Sequence, residues 1–477
     1  MSGTLPWHAG LASGGLGLPL AFVALPLYVQ LPAHYAGQYG VPLGALGVLL
    51  LAARAFDALL DPWLGRRIDA RFARSATAVW RLVGAAALLL GLGFVALFLP
   101  PEALRRAGPT ALLAWCGAAL LPTCLAYSLA SIAQQSWCAR LGGDAVRQAR
   151  LVAWREGCAL AGVLLASVLP ALAGWDWTAA ALAAGLLLGW LGLGRAPQPQ
   201  PQPQPIPCPT PTRPTTSATS HAAADASSSA GTARSDHLTA RLTAHLPAHS
   251  PWREAGFRRL LLIFLLNGVA SAVPATLVLF FVRDRLQTPA WEGAFLAGYF
   301  LAGALSLPLW VRLVARVGLA RSWALGMVLA IVSFAGAGAL GAGDVRAFGL
   351  ICLASGVALG ADLAVPTALL AEVVRRAGQH GAAEGVYFGW WQAATKLNLA
   401  LAAGLALPLL ELGGYQPGSR DPAALQTLGL AYAVLPCLLK LLALGALWWL
   451  WLREPPPAAA TTPRIAAPSP STRQGSP

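Results

Sequence analysis

Residues 50–71 read LLAARAFDALLDPWLGRRIDAR. The first half continues an apolar run that begins near residue 42, yet it carries Arg54, Asp57 and Asp61. The spacing i, i+3, i+7 places all three on one stripe of a helix. Two carboxylates one turn apart repel each other unless a cation lies between them. One arginine cannot neutralise two acids. The stripe therefore has the chemistry of a switchable cation or proton site. The competing reading is an Arg–Asp lock, with Asp61 capping the helix before Pro62.

The whole chain shows what surrounds that stripe. It has 477 residues, 57% of them hydrophobic and only 11% charged, and a mean hydropathy of +0.60. Roughly a quarter of a soluble domain is charged, so most of this surface faces lipid. A spanning helix needs about 20 mostly apolar residues. Twelve such segments are expected, near 11–32, 42–63, 78–100, 109–133, 151–173, 177–195, 257–282, 291–311, 321–341, 346–373, 385–412 and 424–452. The start, MSGTLPWHAG, lacks the basic region of a cleaved signal peptide.

The expected division is a six-helix half at 1–195, a linker at 196–252, a second six-helix half at 253–453 and a tail at 454–477. The linker opens APQPQPQPQPIPCPTPTRPTT. Alternating Pro-Gln favours polyproline II, and the Ser/Ala-rich remainder buries too little apolar surface to fold. Linker and tail are thus expected to be disordered.

The net charge of +14 would suggest nucleic acid in a soluble protein. Here the arginines sit in short connections after every second helix, including Arg66, Arg67, Arg140, Arg147, Arg312 and Arg375. The opposite loops are poor in base and hold Asp176, Asp284 and Asp421. That asymmetry predicts both termini and the linker in the cytoplasm of a multi-pass protein of the plasma (inner) membrane. No nucleic-acid partner and no obligate protein partner is expected. The seven cysteines show no CxxC spacing and read as small packing residues.

Charge near the bilayer centre costs at least about 2.5–3.5 kcal/mol on insertion scales, so it marks cavities and partners. Lysine occurs only at Lys396 and Lys440. Lys396 lies mid-helix in WWQAATKLNLALAAG, one turn after Gln392, where it could reach the acids of helix two across a cavity. Snorkelling is the alternative for both lysines. It suits Lys440 better, since AVLPCLLKLLALG offers no polar neighbour. Helix five holds Arg155 and Glu156, adjacent and so expected to find different partners. Arg155 reads either as a substrate-facing base or as an anchor. Asp362 in GVALGADLAVPTALLAE is the remaining deep acid, for Lys440, another base or the cavity.

Six helices, a long middle loop and six more helices resemble a major facilitator transporter, with parallel halves around a central cavity. GRRIDARFAR (65–74) resembles that superfamily's Gly-x-x-x-Asp loop signature and assigns Gly65 and Asp69 to gating, with Arg54 structural. ARAFDALLDPWLG (53–65) resembles the helix-two motif of the glycoside–pentoside–hexuronide:cation symporters, the family typified by the melibiose carrier. LVAWREGCALAG (151–162) is similar to their helix-five arginine segment. EGVYFGWWQAATKLNLALAAGLALPLLELGGY (384–415) is similar to their helix-eleven block.

The resemblance implies an all-α membrane protein that couples solute to a cation by alternating access. It implies Asp57 and Asp61 as cation-binding acids, Lys396 as the coupling lysine and Arg155 as a substrate contact. The coupling ion is H+ or Na+, with no other cofactor; sodium, if used, would bind at Asp57 and Asp61. Two departures matter. Leu60 stands where the melibiose carrier has an Asn ligand, which favours a proton. The sugar-gripping acids of helices one and four are missing, since no acid precedes Asp57 and none lies between Glu102 and Asp144. Helix four instead offers Tyr127, Ser128, Ser131, Gln134, Gln135 and Trp137. Candidate substrate contacts are therefore Arg155, Gln134, Gln135, Trp137, Gln392 and Asp362.

A glycoside-like or other small organic solute is the expected substrate. The alternatives are an amphiphile such as a lysophospholipid, carried by related sodium-dependent proteins, and a transporter-like sensor that does not translocate. An enzyme is not expected. The histidines, His380 among them, sit in terminal, loop or linker segments, and no nucleophile elbow occurs.

Overall fold

The structure is a computed structural model that describes residues 6–199, 250–416 and 418–453. Most of the 196–252 linker and the 454–477 tail lie outside the described residues. Eleven helices are long and apolar enough to cross a membrane: α1 Trp7–Leu25, α3 Ala76–Phe98, α4 Pro109–Arg140, α5 Ala145–Pro170, α6 Leu172–Arg195, α7 Ala255–Arg285, α8 Pro289–Val317, α9 Leu319–Ala339, α10 Val345–Arg376, α11 Glu384–Leu412 and α12 Pro422–Leu452. The twelfth expected span is α2, Leu43–Phe72, a continuous 30-residue helix. Its buried charges lower its hydropathy and remove it from the apolar set. The twelve-helix expectation holds once α2 is read as a spanning helix that pays for its charge internally.

Local chemistry sets the boundaries. Ser75, Asp144 and Asp421 each accept a hydrogen bond from the backbone three residues on, capping α3, α5 and α12. The α5–α6 corner turns at Gly174, whose φ of 78° lies in the left-handed region that favours glycine. Prolines inside α2, α4, α7, α8, α10, α11 and α12 cost less than in water-exposed helices, because neighbouring helices shield the freed carbonyls.

The buried apolar side chains form two clusters, and their membership reveals the state of the molecule. The larger joins both halves. It takes α1–α6 together with the parts of the second half nearest the arginine-rich loops: Phe257, Val314, Trp323, Val374, Tyr387 and Leu447. The smaller holds residues of α7–α12 and their loops at the other end, such as Val273, Phe281, Phe348, Tyr415 and Tyr432. No described residue of the first half joins it. The two halves are thus packed together at the arginine-rich end and separate at the opposite end. The main cross-half seams are α2 along α11, and α5 against α8 and α10.

The α2–α11 seam is backbone on backbone. A Cβ on Gly65 would lie 2.1 Å from the Gly385 carbonyl oxygen, and one on Gly389 would lie 2.5 Å from the Asp61 carbonyl oxygen. Small residues let two helices approach this closely. The same approach delivers Lys396, two turns further along α11, to the acids of α2.

Candidate functional site

Asp57 and Asp61 are buried, 2% and 0% exposed, and face α4 and α11. The Lys396 ammonium donates to Asp57 Oδ2 at 2.6 Å, to Asp61 Oδ1 at 2.9 Å and to Ser128 Oγ at 2.8 Å. Ser128 in turn donates to Asp57 Oδ1 at 2.8 Å. So the cation bridging the two acids comes from the other half of the molecule. Arg54, one turn before Asp57, is half-buried. Asp61 Oδ2 is buried with no aligned donor, although Lys396 Nζ lies 2.7 Å away. Two carboxylates share one ammonium, and one oxygen remains under-satisfied.

Beside this cluster, Gln135 donates to Gln392 at 3.3 Å and to Ser131 at 3.0 Å, making a polar bridge between α4 and α11. Arg155 pairs with Glu156, its neighbour in sequence. This corrects the expectation of separate partners. Helical geometry turns adjacent Cβ atoms apart, but these long side chains curl together where both are largely shielded from water. A void of about 10 Å³, room for roughly one water, lies among Gln135, Gln148, Arg155, Thr367 and Phe388.

Other expected substrate contacts are occupied by packing. Gln134 is buried and donates to the carbonyls of Ser13 and Gly14 at 3.2 Å, fastening α4 to α1. Trp137 is 2% exposed and donates to the Pro197 carbonyl at 3.1 Å. Its ring is packed at the arginine-rich end. Asp362 lies in the second half and accepts from Lys440 at 2.8 Å, Ser271 at 3.2 Å, Asn267 at 3.1 Å and the Trp323 indole at 3.0 Å. Lys440 is therefore a buried, paired lysine, which corrects the snorkelling reading. Its partners are Ser271 on α7 and Asp362 on α10, the pairing the sequence left open for that acid.

Asp69 closes the arginine-rich end. Its carboxylate accepts from the Gly385 and Val386 backbone at 2.7 and 2.9 Å and from Arg140 at 2.7 Å. Arg140 also lies 3.1 Å from Glu384 and hydrogen-bonds the Gly381 carbonyl. Its guanidinium stacks over Phe72 at 4.2 Å. The bonds of Asp69 to Gly385 and Val386, and of Arg140 to Glu384 and Gly381, cross from one half to the other, while the Arg140–Asp69 pair and the Phe72 stack lie within the first half. Sequence reasoning offers Ser128 only as a helix-four hydroxyl for substrate, and it misses Arg140 and Glu384 as site residues, although Glu384 opens the helix-eleven motif itself.

Among the described residues no three His, Cys, Asp or Glu lie close enough together to hold a metal ion. The oxygens of Asp57, Asp61 and Ser128 form a hard donor set, suited to a proton or an alkali cation rather than a transition metal.

Two six-helix halves closed at one end, with a shared charge cluster between them, define a secondary transporter of the major facilitator fold and not an enzyme. The family model described as MFS/sugar transport protein matches residues 10–192 and 249–454, so the chain belongs to that family. No curated protein matches the sequence. Among solved structures, a bacterial homologue of the iron transporter ferroportin in an outward-facing state is similar at 17% identity and TM-score 0.59, covering 92% of this chain and 99% of that one. The E. coli fucose:proton symporter is similar at 15% identity and TM-score 0.57, covering 91% and 98%. A proton:xylose symporter follows at 15% identity and TM-score 0.54, covering 91% and 93%. At these identities the likeness shows the fold alone.

Proposed function

We propose that the chain is a cation-coupled symporter of a glycoside-like or other small organic solute, working by alternating access. The carrying observation is that Lys396 sits between Asp57 and Asp61, in the place a coupling ion would take, and leaves Asp61 Oδ2 without an aligned donor. A proton or sodium ion arriving at the acids competes with the ammonium. Displacing Lys396 unties α11 from α2, so ion occupancy and the relation of the halves are linked. Differential occupancy between the two states is what coupling requires. Gln135, Gln392 and Arg155 lie beside the cluster and supply amide and guanidinium contacts for a polar solute.

With the arginine-rich end in the cytoplasm of the plasma (inner) membrane, the closed Asp69–Arg140–Glu384 gate makes this an outward-facing arrangement. Both termini would then be cytoplasmic, and the partners would be the solute, the ion and the bilayer.

A thermal-shift panel on the purified protein tests the reading. Sugars and glycosides are set against lysophospholipids, with and without sodium, at two pH values, with Asp57→Asn/Asp61→Asn as control. A ligand at 100 times its dissociation constant adds about 2.7 kcal/mol of stability. Stabilisation by a glycoside that is enhanced by one ion and lost in the control supports symport and names the ion. Stabilisation by lysophospholipid with sugars inert contradicts the solute class. Ligand binding with no dependence on either ion would leave a sensor.

A further inference from the structure

A second cavity lies away from the Lys396 cluster. It measures about 350 Å³ and lies inside the second half, at the end where the halves are apart. Its wall is largely apolar, with Phe295, Phe300, Phe334 and Ile351 among the lining side chains, and the only charged lining residues are Asp362 and Lys440. Asp57, Asp61, Ser128 and Lys396 are absent from the wall. Among the described residues, Leu25 of α1 is the one lining residue from the first half. The volume falls in the lower part of the range of small-molecule sites, roughly 300–1,000 Å³.

The pair at the wall has a definite hydrogen-bonding capacity. The Asp362 carboxylate accepts from Asn267, Trp323, Ser271 and Lys440, so its acceptor sites are taken. An ammonium has three donors. Lys440 spends one on Asp362 and one on Ser271, both at 2.8 Å. One donor remains for an acceptor in the cavity that the side chain lines. The pair is electrically balanced, so a charged ligand head would bring an uncompensated charge into a buried site, which is costly.

We propose that this cavity binds an uncharged amphiphile, an apolar body with a single oxygen acceptor of the alcohol, ketone or ester class, whose oxygen accepts from Lys440. The site is separate from the symport site and stands or falls independently of it.

The test is photolabelling in phosphatidylcholine nanodiscs with a decanol that carries a diazirine in its chain. Labelled peptides are mapped by mass spectrometry. Competition uses excess decanol, decanoate or decyltrimethylammonium. Labelling is expected on the lining segments of α8, α9, α10 and α12, and only decanol should compete. Ala330→Trp, which fills the cavity, should abolish it. Asp362→Asn/Lys440→Met keeps the balance of charge and the approximate volume but removes the donor, and should weaken decanol competition about tenfold. Asp57→Asn/Asp61→Asn, which disables the proposed symport, should leave the labelling intact. Labelling spread evenly over lipid-facing helices, or unchanged by Ala330→Trp, would overturn the site. Equal competition by decanoate would overturn the uncharged head. Loss of labelling in Asp57→Asn/Asp61→Asn would overturn its separateness.

Discussion

Lys396 Nζ and Asp57 Oδ2 stand 2.6 Å apart across the boundary between the two halves, 339 residues apart in sequence. The contact is at once an electrostatic solution and a mechanical tie. It satisfies one buried carboxylate, shares the same ammonium with Asp61, and fastens α11 to α2. Anything that competes for the carboxylates also loosens the seam.

Removing the shared cation should therefore hurt more than removing the whole cluster. Lys396→Met takes away the ammonium that two buried acids share and should cost about 3–5 kcal/mol. Adding Asp57→Asn and Asp61→Asn to it should restore most of that stability while ion dependence stays lost. Thermal unfolding of the single and triple variants checks this. A triple variant as unstable as the single would mean the acids are not what Lys396 stabilises.

The gate is a second, separable device. Asp69→Asn keeps the shape but removes the charge from bonds to Arg140 and the α11 backbone. Hydrogen bonds to charged groups contribute about 1.5–3 kcal/mol, and 1.4 kcal/mol is a tenfold change in an equilibrium. Opening at the arginine-rich end should thus rise about tenfold or more. A cysteine at Thr367, beside the closed void, in a background with the seven native cysteines replaced, Cys138 of the same void among them, reports it through its rate of maleimide labelling. A rate equal to that of the Asp69 protein would show that the gate does not hold this end shut.

Gly65→Leu attacks the same seam by sterics. Its Cβ would meet the Gly385 carbonyl at 2.1 Å, and backbone cannot swing aside as a side chain can. The variant should insert normally but disfavour the closed arrangement, so the Thr367 reporter should label faster. Unchanged labelling in a well-folded protein would place the close approach of α2 and α11 outside the gating motion.

Much of this was legible in the chain because membrane burial makes charge conspicuous. Asp57, Asp61 and Lys396 stood out against apolar runs, and helical spacing put the acids on one stripe. The structure adds that the counter-charge is Lys396, with Ser128 as the hydroxyl between them. Partners far apart in sequence were harder to read. The apolar helix around Lys440 favours snorkelling, and pairing with Asp362, 78 residues upstream, is one of several options the sequence leaves for that acid. Arg140 read as a topological charge, and only the fold brings it to Asp69 and Glu384. Gln134 and Trp137 are engaged in packing in this arrangement. A polar side chain on a central helix can be consumed by packing against a neighbour, and periodicity does not say which face meets it.

The most direct test of the central claim needs no substrate. The Thr367 cysteine reporter is labelled across a series of sodium concentrations and pH values, in an otherwise unaltered charge cluster and in Asp57→Asn/Asp61→Asn. If an ion displaces Lys396 from the acids, labelling should rise with one ion in the first protein and be flat in the second. The same ion response in both proteins, or none in either, would contradict the assignment of Asp57, Asp61 and Lys396 as the coupling site.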